Sequence, residues 1–581
     1  MKKPSAGGLK RRCTSAVRAW EIHQESGGLA PEHVWTNRDM GMSCIQWRHP
    51  TPPKDQTWTI WTITTYWACN IINLSGWETA SGILSVGLSW REAIPIMMVA
   101  NLCVAIPMVL NGAMGAKLHV PFSVVTTSSF GYYLRYFCIV SRAVLAMFWF
   151  GVQGANGAQC ITIMLRAWAP SYNDIPNKLP ESAGITSVGM VSYFLFWIIQ
   201  LPLLLIHPTK LKWVLRIKVI SGPAAALATM GWCIHKAGGN GSGDIFALKA
   251  TITGAEYSWL WLSCMSSVTG SWSTLACNIP DFTRYAKAPK GQFIQLPFLP
   301  IAFTLCGVLG IVATSCTKVF SGEYMWNPLD VLELWLGYGA GGRCAAFFVA
   351  LGWYIAQVGT NITANSISAA NDLTVLFPRW VNIQRGCMIT AVVGAWVLVP
   401  WKILESATTF LAFMGGYAIF LGLMAGIMVA DYWLVKKQHI DIPALYDPRG
   451  RYTYTAGCNW RAVVAFLVPV APLLPGLAFS ISNNKGPEAD VRISDGAKHL
   501  YTFNWLFGFV TSLLLYTVLN ILLPAKETLL HGTVWSLEGT AIEVYPRRSD
   551  EEKSTATASK GVWATRDVAR EKHEGPDDKQ P

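Results

Sequence analysis

About twelve apolar stretches, each long enough to cross a lipid bilayer, recur along the chain and constrain its fold more than any other feature. A membrane-spanning helix needs about 20 mostly apolar residues. Inside lipid, only helices and closed barrels satisfy the backbone hydrogen bonds. The sequence therefore predicts an all-α polytopic membrane protein with about 12 transmembrane helices, centred near Tyr66, Val104, Phe150, Phe196, Ala225, Met265, Phe303, Gln357, Val393, Gly416, Val468 and Leu513.

Charged residues are too few for a chain of soluble domains. They make up 14% of the 581 residues, whereas a soluble chain carries about 25%. The net charge of +12 comes from Lys and Arg that are scattered between apolar stretches, not gathered into a basic stripe. The lipid bilayer is therefore an expected partner, and nucleic acid is not.

The loops after the even-numbered stretches are rich in Lys and Arg, and we count Lys218 among these loop residues. Such loops face the cytosol, so both termini are predicted to be cytosolic, in a multi-pass protein of the plasma membrane. We divide the chain into a cytosolic N-terminal segment (1–56), a transmembrane domain of 12 spans (57–525) and a disordered cytosolic tail (526–581). The tail is rich in charge, Ser and Thr, and its lysines make the ubiquitin and endocytic machinery candidate partners.

Sequence signatures of common enzymes and ATP-driven pumps are absent. The chain has no GxxxxGK[ST], HExxH or GxSxG pattern, and the first of these absences argues against an ATP-driven pump. The 14 Cys show no CxxC spacing, and those in apolar stretches are typical of small hydrophobic residues. We expect neither an enzyme nor a resident cofactor or metal.

The first apolar stretch contains Asn70, Asn73, Ser75, Gly76 and Glu78. Polar side chains are costly in hydrocarbon and cluster at functional positions. Unwound backbone at membrane depth is tolerated where it lines a cavity. This pattern favours a broken helix, with Glu78 as a candidate proton carrier. The alternative is an intact helix whose polar side chains face the bundle.

Within the sixth stretch, seven of the nine residues from Ser266 to Thr274 are Ser, Thr or Gly. This composition predicts a second broken helix. The two breaks would then lie five spans apart. That spacing is what an inverted repeat of five plus five spans requires.

Two further pairs of side chains each share one helical face. Trp149 and Gln153 are four residues apart in the third stretch, and Asn361 and Asn365 are four apart in the eighth. A Trp beside an amide can stack on a planar ring and hydrogen-bond its edge. Packing between helices is the alternative, because Asn also joins helices in membranes. These residues alone leave both interpretations open.

Taken in order, short motifs along most of the chain resemble the fungal members of nucleobase–cation symporter family 1, in the branch of uracil, uridine and allantoin permeases. The resemblance runs from about Asn37 to the twelfth stretch. It is carried by Asn37-Arg38-Asp39-Met40, Pro52-Pro53, Thr57-Trp58, Tyr66-Trp67, Gly87-Leu88-Ser89-Trp90, Asn111-Gly112, Ser128-Ser129-Phe130-Gly131, Trp149-Phe150-Gly151-Val152-Gln153, Asn278-Ile279-Pro280-Asp281-Phe282-Thr283-Arg284-Tyr285, Gly359-Thr360-Asn361, Ala364-Asn365-Ser366 and Asp431-Tyr432-Trp433-Leu434-Val435. The segment Gly41 to His49 interrupts the family pattern, either as an insertion or as an artefact of the gene model.

The resemblance implies a LeuT-like fold, a 5+5 inverted repeat followed by two extra helices. It also implies that a heterocycle is stacked between two Trp and hydrogen-bonded by a Gln and an Asn. The matching substrate-binding residues are Trp149, Trp272, Gln153 and Asn365. Ser271 and Thr274, which flank Trp272, are expected to help select the ligand.

A cation site in the family would match Ala356, Gly359 and Thr360. A bacterial relative has a Ser at the position of Gly359, and a hard cation prefers oxygen ligands, so we expect H⁺ coupling in preference to Na⁺. Asn70 stands where several fungal relatives carry an acid. The proton carrier is therefore Glu78, Asp281 or another group.

The resemblance places a gate on the tenth span near Phe413 and Met414. At the inner end of the sixth span, we assign Asp281 and Arg284 to a cytoplasmic gate. A purely structural ion pair is the alternative interpretation of these two residues.

These observations predict a proton-coupled secondary active importer, a symporter of a nucleobase or related heterocycle of the uracil, allantoin and uridine class. A thiamine or nicotinamide-riboside transporter of the same family is the first alternative. The second is a nutrient sensor that binds its ligand without transporting it.

Overall fold

The computed structural model describes residues 50–535, except 52, 207–211, 239–241 and 484–491. The helices that build the membrane domain are α1 (Ile60–Ile71), α2 (Leu74–Ser85), α3 (Trp90–Leu118), α4 (Phe122–Phe130), α5 (Arg135–Trp168), α6 (Ser187–Leu205), α7 (Lys212–Lys236), α8 (Ala255–Asn278), α9 (Gln295–Ser321), α10 (Pro328–Trp335), α11 (Gly339–Thr360), α12 (Ile367–Leu376), α13 (Ile383–Val392), α14 (Ala407–Val429), α15 (Trp460–Val470), α16 (Leu474–Asn483), α17 (Asp495–Thr502) and α18 (Asn504–Leu522). Short helices at Ser242–Ala247, Pro280–Thr283 and Ile442–Tyr446 connect them. The segment Gly41 to His49 and most of the predicted N-terminal segment lie outside the described residues.

Nine helices in the described part of the chain are long and apolar enough to cross a membrane. Three further predicted spans do not meet that measure: α1 and α2 are short halves of one span, α8 is rich in small polar residues, and the helix at Ile383–Val397 is short. Every predicted span centre lies within one of these helices. The architecture is therefore all-helical and consistent with the predicted count of about twelve.

The first span is broken, as predicted, between Ile71 and Leu74. Asn73 has extended backbone angles and caps α2, because its Oδ1 accepts a hydrogen bond from the N–H of Gly76 at 2.8 Å. Its amide nitrogen donates to the carbonyl of Asn70 at 2.8 Å. These two hydrogen bonds satisfy free backbone groups on both sides of the break, which lowers the energetic cost of the break inside the bundle.

The predicted break in the sixth span is wrong, because α8 is continuous from Ala255 to Asn278. Its hydroxyl groups bond to the carbonyls of their own helix instead of opening it. Thr269 donates to the carbonyl of Met265 at 2.8 Å, and Ser273 donates to that of Gly270 at 2.8 Å. Ser and Thr satisfied in this way are compatible with an intact helix.

Irregular geometry appears instead in the eighth span, where a π-helical segment at Asn361–Ser366 joins α11 to α12. Asn361 stabilises it by donating to the carbonyl of Phe150 at 3.1 Å and to the side chain of Gln200 at 3.3 Å. Such π-helical turns occur frequently at functional sites.

Close packing of α8 against α14 depends on Gly270. A Cβ atom at this position would lie 2.3 Å from the carbonyl oxygen of Met414. Small residues allow membrane helices to approach in this way. The contact holds one wall of the central cavity, described below, against the tenth span.

Residues 526–535 are ordered, so the prediction of a disordered tail is wrong for this part. Lys526–Thr528 forms a helical turn, and the carbonyl of Glu527 accepts a hydrogen bond from Arg451 at 3.1 Å. The backbone of Val534 bonds to Ile440 and Ile442. Residues 536–581 lie outside the described part of the chain.

Candidate substrate and cation sites

A cavity lies beside the break in the first span, with about 90 Å³ of space accessible to water. Its wall is built from the break and from α5, α8 and the π-helical segment of the eighth span. The lining residues are Asn73, Ser75, Gly76, Thr79, Arg142, Ala146, Trp149, Gln153, Ser271, Trp272, Thr274, Leu275, Asn278, Thr360, Ala364, Asn365 and Ser368. All six residues predicted to bind substrate are among them.

Two tryptophans on different helices provide large aromatic surfaces to this cavity, and both are only partly buried. Trp149 on α5 is held by a hydrogen bond from its Nε1 to the hydroxyl of Tyr417 at 3.2 Å. Trp272 on α8 packs against Phe303 with ring centroids 4.4 Å apart, and against Trp67 at 6.0 Å. These contacts fix both indole rings before any ligand enters.

The amide side chains leave acceptor capacity at the cavity. Gln153 donates through Nε2 to the hydroxyl of Ser75 at 3.2 Å, while its buried Oε1 has no partner among the described residues. Asn365 donates to Oδ1 of Asn361 at 3.1 Å and lines the cavity. The site can therefore accept hydrogen bonds from N–H groups of a ligand.

The two hydroxyl residues beside Trp272 differ in what they offer. Ser271 already donates to the carbonyl of Val268 at 2.7 Å. The buried hydroxyl of Thr274 has no hydrogen-bond partner among the described residues. Thr274 is thus the one of this pair whose hydroxyl is available to a ligand.

Three of the five predicted cation-site residues, Asn70, Gly359 and Thr360, lie beside an ammonium group. Lys218 on α7 is 2% exposed, and its Nζ donates to the hydroxyl of Thr360 at 2.8 Å and to Oδ1 of Asn70 at 3.4 Å. A Cβ atom on Gly359 would lie 2.7 Å from Cδ of the lysine. The carbonyl of Ala356 accepts a hydrogen bond from Thr360 at 2.9 Å. Within the described residues, no carboxylate lies within 4.0 Å of Nζ.

Lys218 is the main site residue that the sequence analysis missed. We placed it in a cytosolic loop, but it is the third residue of an apolar segment that runs from Arg216 to Lys236. A lysine within such a segment is the signal that identifies it, because lysines in hydrocarbon are rare and functional.

Glu78 lies apart from the Lys218 group. It is fully buried on α2, and its Oε2 accepts a hydrogen bond from Asn156 on α5 at 2.8 Å. Glu78 and Asn70, both named as cation-coupling candidates, thus contact different helices on either side of the break in the first span.

The predicted gate residues also separate into two groups. Phe413 lies against Trp149 with ring centroids 6.1 Å apart, and Met414 is fully buried beside Thr79. At the inner end of the sixth span, Asp281 and Arg284 each contact neighbouring groups. The carboxylate of Asp281 accepts a hydrogen bond from the backbone of Phe122 at 2.8 Å. The guanidinium of Arg284 donates to the hydroxyl of Tyr285.

The ion pair at the floor of the cavity is formed by Arg142 on α5 and Asp372 on α12. Their side chains are 1% and 2% exposed. Arg142 also donates to the carbonyl of Ser368 at 2.7 Å. With its amide oriented to satisfy the network, Asn278 accepts from Arg142 at 2.6 Å. Three spans are thus joined beneath the two tryptophans.

Comparison with known proteins agrees with this architecture. An uncharacterized permease of Schizosaccharomyces pombe is 39% identical over 86% of this chain and 87% of its own length. The allantoin permease of Saccharomyces cerevisiae is 30% identical over 82% of this chain and 75% of its own. Among solved structures, Mhp1 with bromovinylhydantoin bound has a TM-score of 0.63 and 21% identity, covering 83% of this chain and 96% of that one.

The family model described as permease for cytosine/purines, uracil, thiamine, allantoin matches residues 50–508. The matched region contains both tryptophans, the broken first span and the Lys218 group. This protein is a transporter, not an enzyme, and it belongs to that permease family, nucleobase–cation symporter family 1.

Proposed function

We propose that this permease imports a nucleobase or a related heterocycle across the plasma membrane, together with a proton. The observation that carries the proposal is the cavity beside the broken first span, between Trp149 and Trp272, with the acceptor oxygen of Gln153 left free. Two aromatic faces and a polar edge suit a flat ring that carries N–H and C=O groups.

The relatives support a small heterocycle as the substrate class. One is named an allantoin permease, and the solved structure of similar fold holds bromovinylhydantoin. Stacking of a base on an aromatic ring contributes about 1–3 kcal/mol. Trp149 and Trp272, with Gln153, Asn365, Ser271 and Thr274 around them, are the proposed substrate-binding residues.

Proton coupling is supported by the ammonium of Lys218 at the residues that match a cation site. A hard metal cation needs several oxygen ligands, but Gly359 supplies no side-chain oxygen and the lysine fills the space beside it. The protonated amine has three N–H donors that tie α7 to Thr360 on α11 and Asn70 on α1. Loss of one proton removes a donor and the charge, so proton occupancy controls how firmly these helices are joined.

The test is uptake of radiolabelled uracil and allantoin into fungal cells that lack their own carriers. Unlabelled uridine, cytosine, adenine, thiamine and nicotinamide riboside serve as competitors, with and without a protonophore and with Na⁺ replaced by choline. Protonophore-sensitive accumulation that does not require Na⁺ is expected. Competition by thiamine alone would assign the vitamin class instead, and absence of accumulation at normal surface expression would contradict the importer.

The proposed orientation has both termini in the cytosol, where lysines of the C-terminal segment are available to the ubiquitin and endocytic machinery. These lysines are Lys553, Lys560, Lys572 and Lys579. Because residues 526–535 pack on the transporter, a truncation that tests this should end at Trp535. It should retain uptake while slowing removal of the protein from the cell surface, which surface biotinylation measures.

A further inference from the structure

A buried carboxyl group lies behind the cavity, beyond the residues that face the ligand. Glu78 is fully buried, and its only hydrogen bond among the described residues is the one that Oε2 accepts from Nδ2 of Asn156 at 2.8 Å. No Lys, Arg or His among the described residues lies within 4.0 Å of it. Glu78 thus acts on its surroundings as a hydrogen-bond acceptor, not as one half of an ion pair.

Asn156 connects the carboxylate of Glu78 to the hydroxyl of Ser75. With Nδ2 directed to Glu78, the same nitrogen also approaches the hydroxyl oxygen of Ser75 at 3.4 Å. Gln153, one turn earlier on α5, donates its own Nε2 to that hydroxyl oxygen at 3.2 Å. The Ser75 oxygen therefore accepts from two amides on neighbouring turns of one helix.

Two consequences reach the cavity. A hydroxyl oxygen that accepts twice must direct its own hydrogen elsewhere, and Ser75 lines the cavity. Gln153, whose nitrogen is engaged, presents Oε1, which has no partner among the described residues. One donor and one acceptor are thereby left without a partner among the described residues, on two side chains that line the cavity.

We propose that Glu78 and Asn156 are positioning residues, which fix the polarity of Ser75 and Gln153 so that the cavity recognises a ring edge carrying adjacent N–H and C=O groups. The ligand N–H donates to Oε1 of Gln153, and the ligand carbonyl accepts from the Ser75 hydroxyl. The proposal rests on the proposed function, because it assumes that this cavity binds the heterocycle. Beyond that function, the proposal specifies which groups the edge of the ligand ring carries. It also assigns a role to Glu78 and Asn156, which do not touch the ligand.

Without the acceptor at Glu78, Asn156 is free to rotate its amide. Its oxygen would then face Ser75, the hydroxyl would donate to it, and the donor would be lost from the cavity. Glu78→Gln keeps an oxygen acceptor of the same shape, whereas Glu78→Leu and Asn156→Leu remove the link. Ser75→Ala removes the proposed donor alone.

The experiment measures equilibrium binding to purified full-length protein for uracil against 1,3-dimethyluracil, and for hydantoin against 1,3-dimethylhydantoin. The methylated rings keep their shape and carbonyls but lack N–H groups. The wild type should prefer at least one parent ring by tenfold or more. Glu78→Leu, Asn156→Leu and Ser75→Ala should reduce that preference about tenfold, mainly by weakening binding of the parent ring. Glu78→Gln should retain it. The control is Asn520→Leu, a buried Asn on α18 whose amide donates to the carbonyl of Tyr516 in its own helix, its one hydrogen bond among the described residues.

Unchanged preference in the folded Ser75→Ala and Asn156→Leu proteins would overturn the inference, and so would equal weakening of parent and methylated rings. Glu78→Gln behaving like Glu78→Leu would also overturn it, because charge would then matter and not acceptor polarity. A wild type that binds neither parent ring would also overturn the inference, whereas the proposed function itself is refuted by absence of accumulation in the uptake assay. If Glu78→Leu does not yield folded protein, Asn156→Leu decides whether the link positions the site, and Ser75→Ala decides whether Ser75 is the donor.

Discussion

At the scale of single residues, Lys218 carries the coupling hypothesis, because its ammonium is buried without a carboxylate beside it in the described part of the chain. Replacement by Met keeps the length of the side chain and removes the proton. We expect Lys218→Met to abolish protonophore-sensitive accumulation while equilibrium binding of the heterocycle changes by less than about tenfold. Whole-cell uptake and binding to purified protein, measured on the same variant, separate the two effects.

The matched control is Lys236→Met at the exposed end of the same helix. Its uptake should equal that of the wild type. Retained concentrative uptake in Lys218→Met would exclude this lysine as the proton carrier. Uptake that becomes Na⁺-dependent in the variant would instead show that the emptied space accepts a metal cation.

Asn365 allows the substrate site to be tested by a second single change. It lines the cavity and is held by a hydrogen bond to Asn361 at 3.1 Å. Loss of its amide should abolish uptake in Asn365→Ala at normal surface expression, because a ligand group would be left unpaired in a desolvated site. Asn371→Ala is the control, since Asn371 is similarly buried on α12 but does not line the cavity. Normal uptake in Asn365→Ala would contradict the proposed site.

Residues of the ligand cavity were easier to predict than those that surround the lysine. Trp149 and Gln153 share a helical face in the sequence itself, so their position together follows from helix geometry. Lys218 comes from another span, and a lysine near a span end has the same local sequence whether it faces the cytosol or the bundle. Only tertiary packing distinguishes a lysine that faces the cytosol from one that faces the bundle. The partners of Asn156 and Arg142 likewise depend on tertiary packing.

At the scale of helices, the contact between α8 and α14 depends on a glycine. A methyl group at position 270 would lie 2.3 Å from the carbonyl oxygen of Met414. Gly270→Ala should therefore lower the free energy of unfolding by about 1–3 kcal/mol and displace the wall that bears Trp272. Thermal unfolding of the purified protein, followed by size-exclusion chromatography, measures the effect.

Gly231→Ala on α7 is the matched control, because in the described part of the chain no atom of another segment lies within 4 Å of the added methyl group. There the higher helix propensity of Ala should leave stability unchanged or raise it by up to about 1 kcal/mol. Equal melting temperatures for the two variants would contradict the packing role of Gly270.

Helix breaks show what local sequence can and cannot indicate. Both the first and the sixth spans are rich in small polar residues, yet only the first is broken. The difference lies in side-chain chemistry: Asn73 caps a new helix start, whereas Thr269 and Ser273 bond back to their own helix. Composition alone predicted two breaks, and the capping residue would have distinguished them.

At the scale of the whole molecule, the number and order of spans followed from hydropathy, because the bilayer imposes one length on every crossing helix. Long-range ion pairing did not follow. Asp281 and Arg284 were assigned together because both lie at the inner end of the sixth span, whereas a buried ion pair joins Arg142 to Asp372 from two different spans. Which helices meet beneath the cavity is a property of the tertiary fold.

That ion pair closes the floor of the cavity and, in the proposed orientation, its cytosolic side. Removing one partner of a buried pair costs about 3–5 kcal/mol. Opening the floor would expose the remaining charge to water and recover part of this cost. Asp372→Asn should therefore shift the protein towards a conformation open to the cytosol. Uptake should fall because the outward-facing state becomes less populated.

Thiol labelling measures that shift. Ser271→Cys places a thiol on the cavity wall, and a membrane-impermeant maleimide should reach it faster in inside-out vesicles when Asp372→Asn is also present. Parent vesicles without the added cysteine provide the background. The control is Arg166→Gln. Arg166 lies on α5, like Arg142, and forms an exposed ion pair with Glu333 on α10. Its loss should leave the labelling rate unchanged, because exposed pairs contribute about 0–1 kcal/mol. If Asp372→Asn labels no faster than its parent, the ion pair holds the fold together but does not gate the cavity.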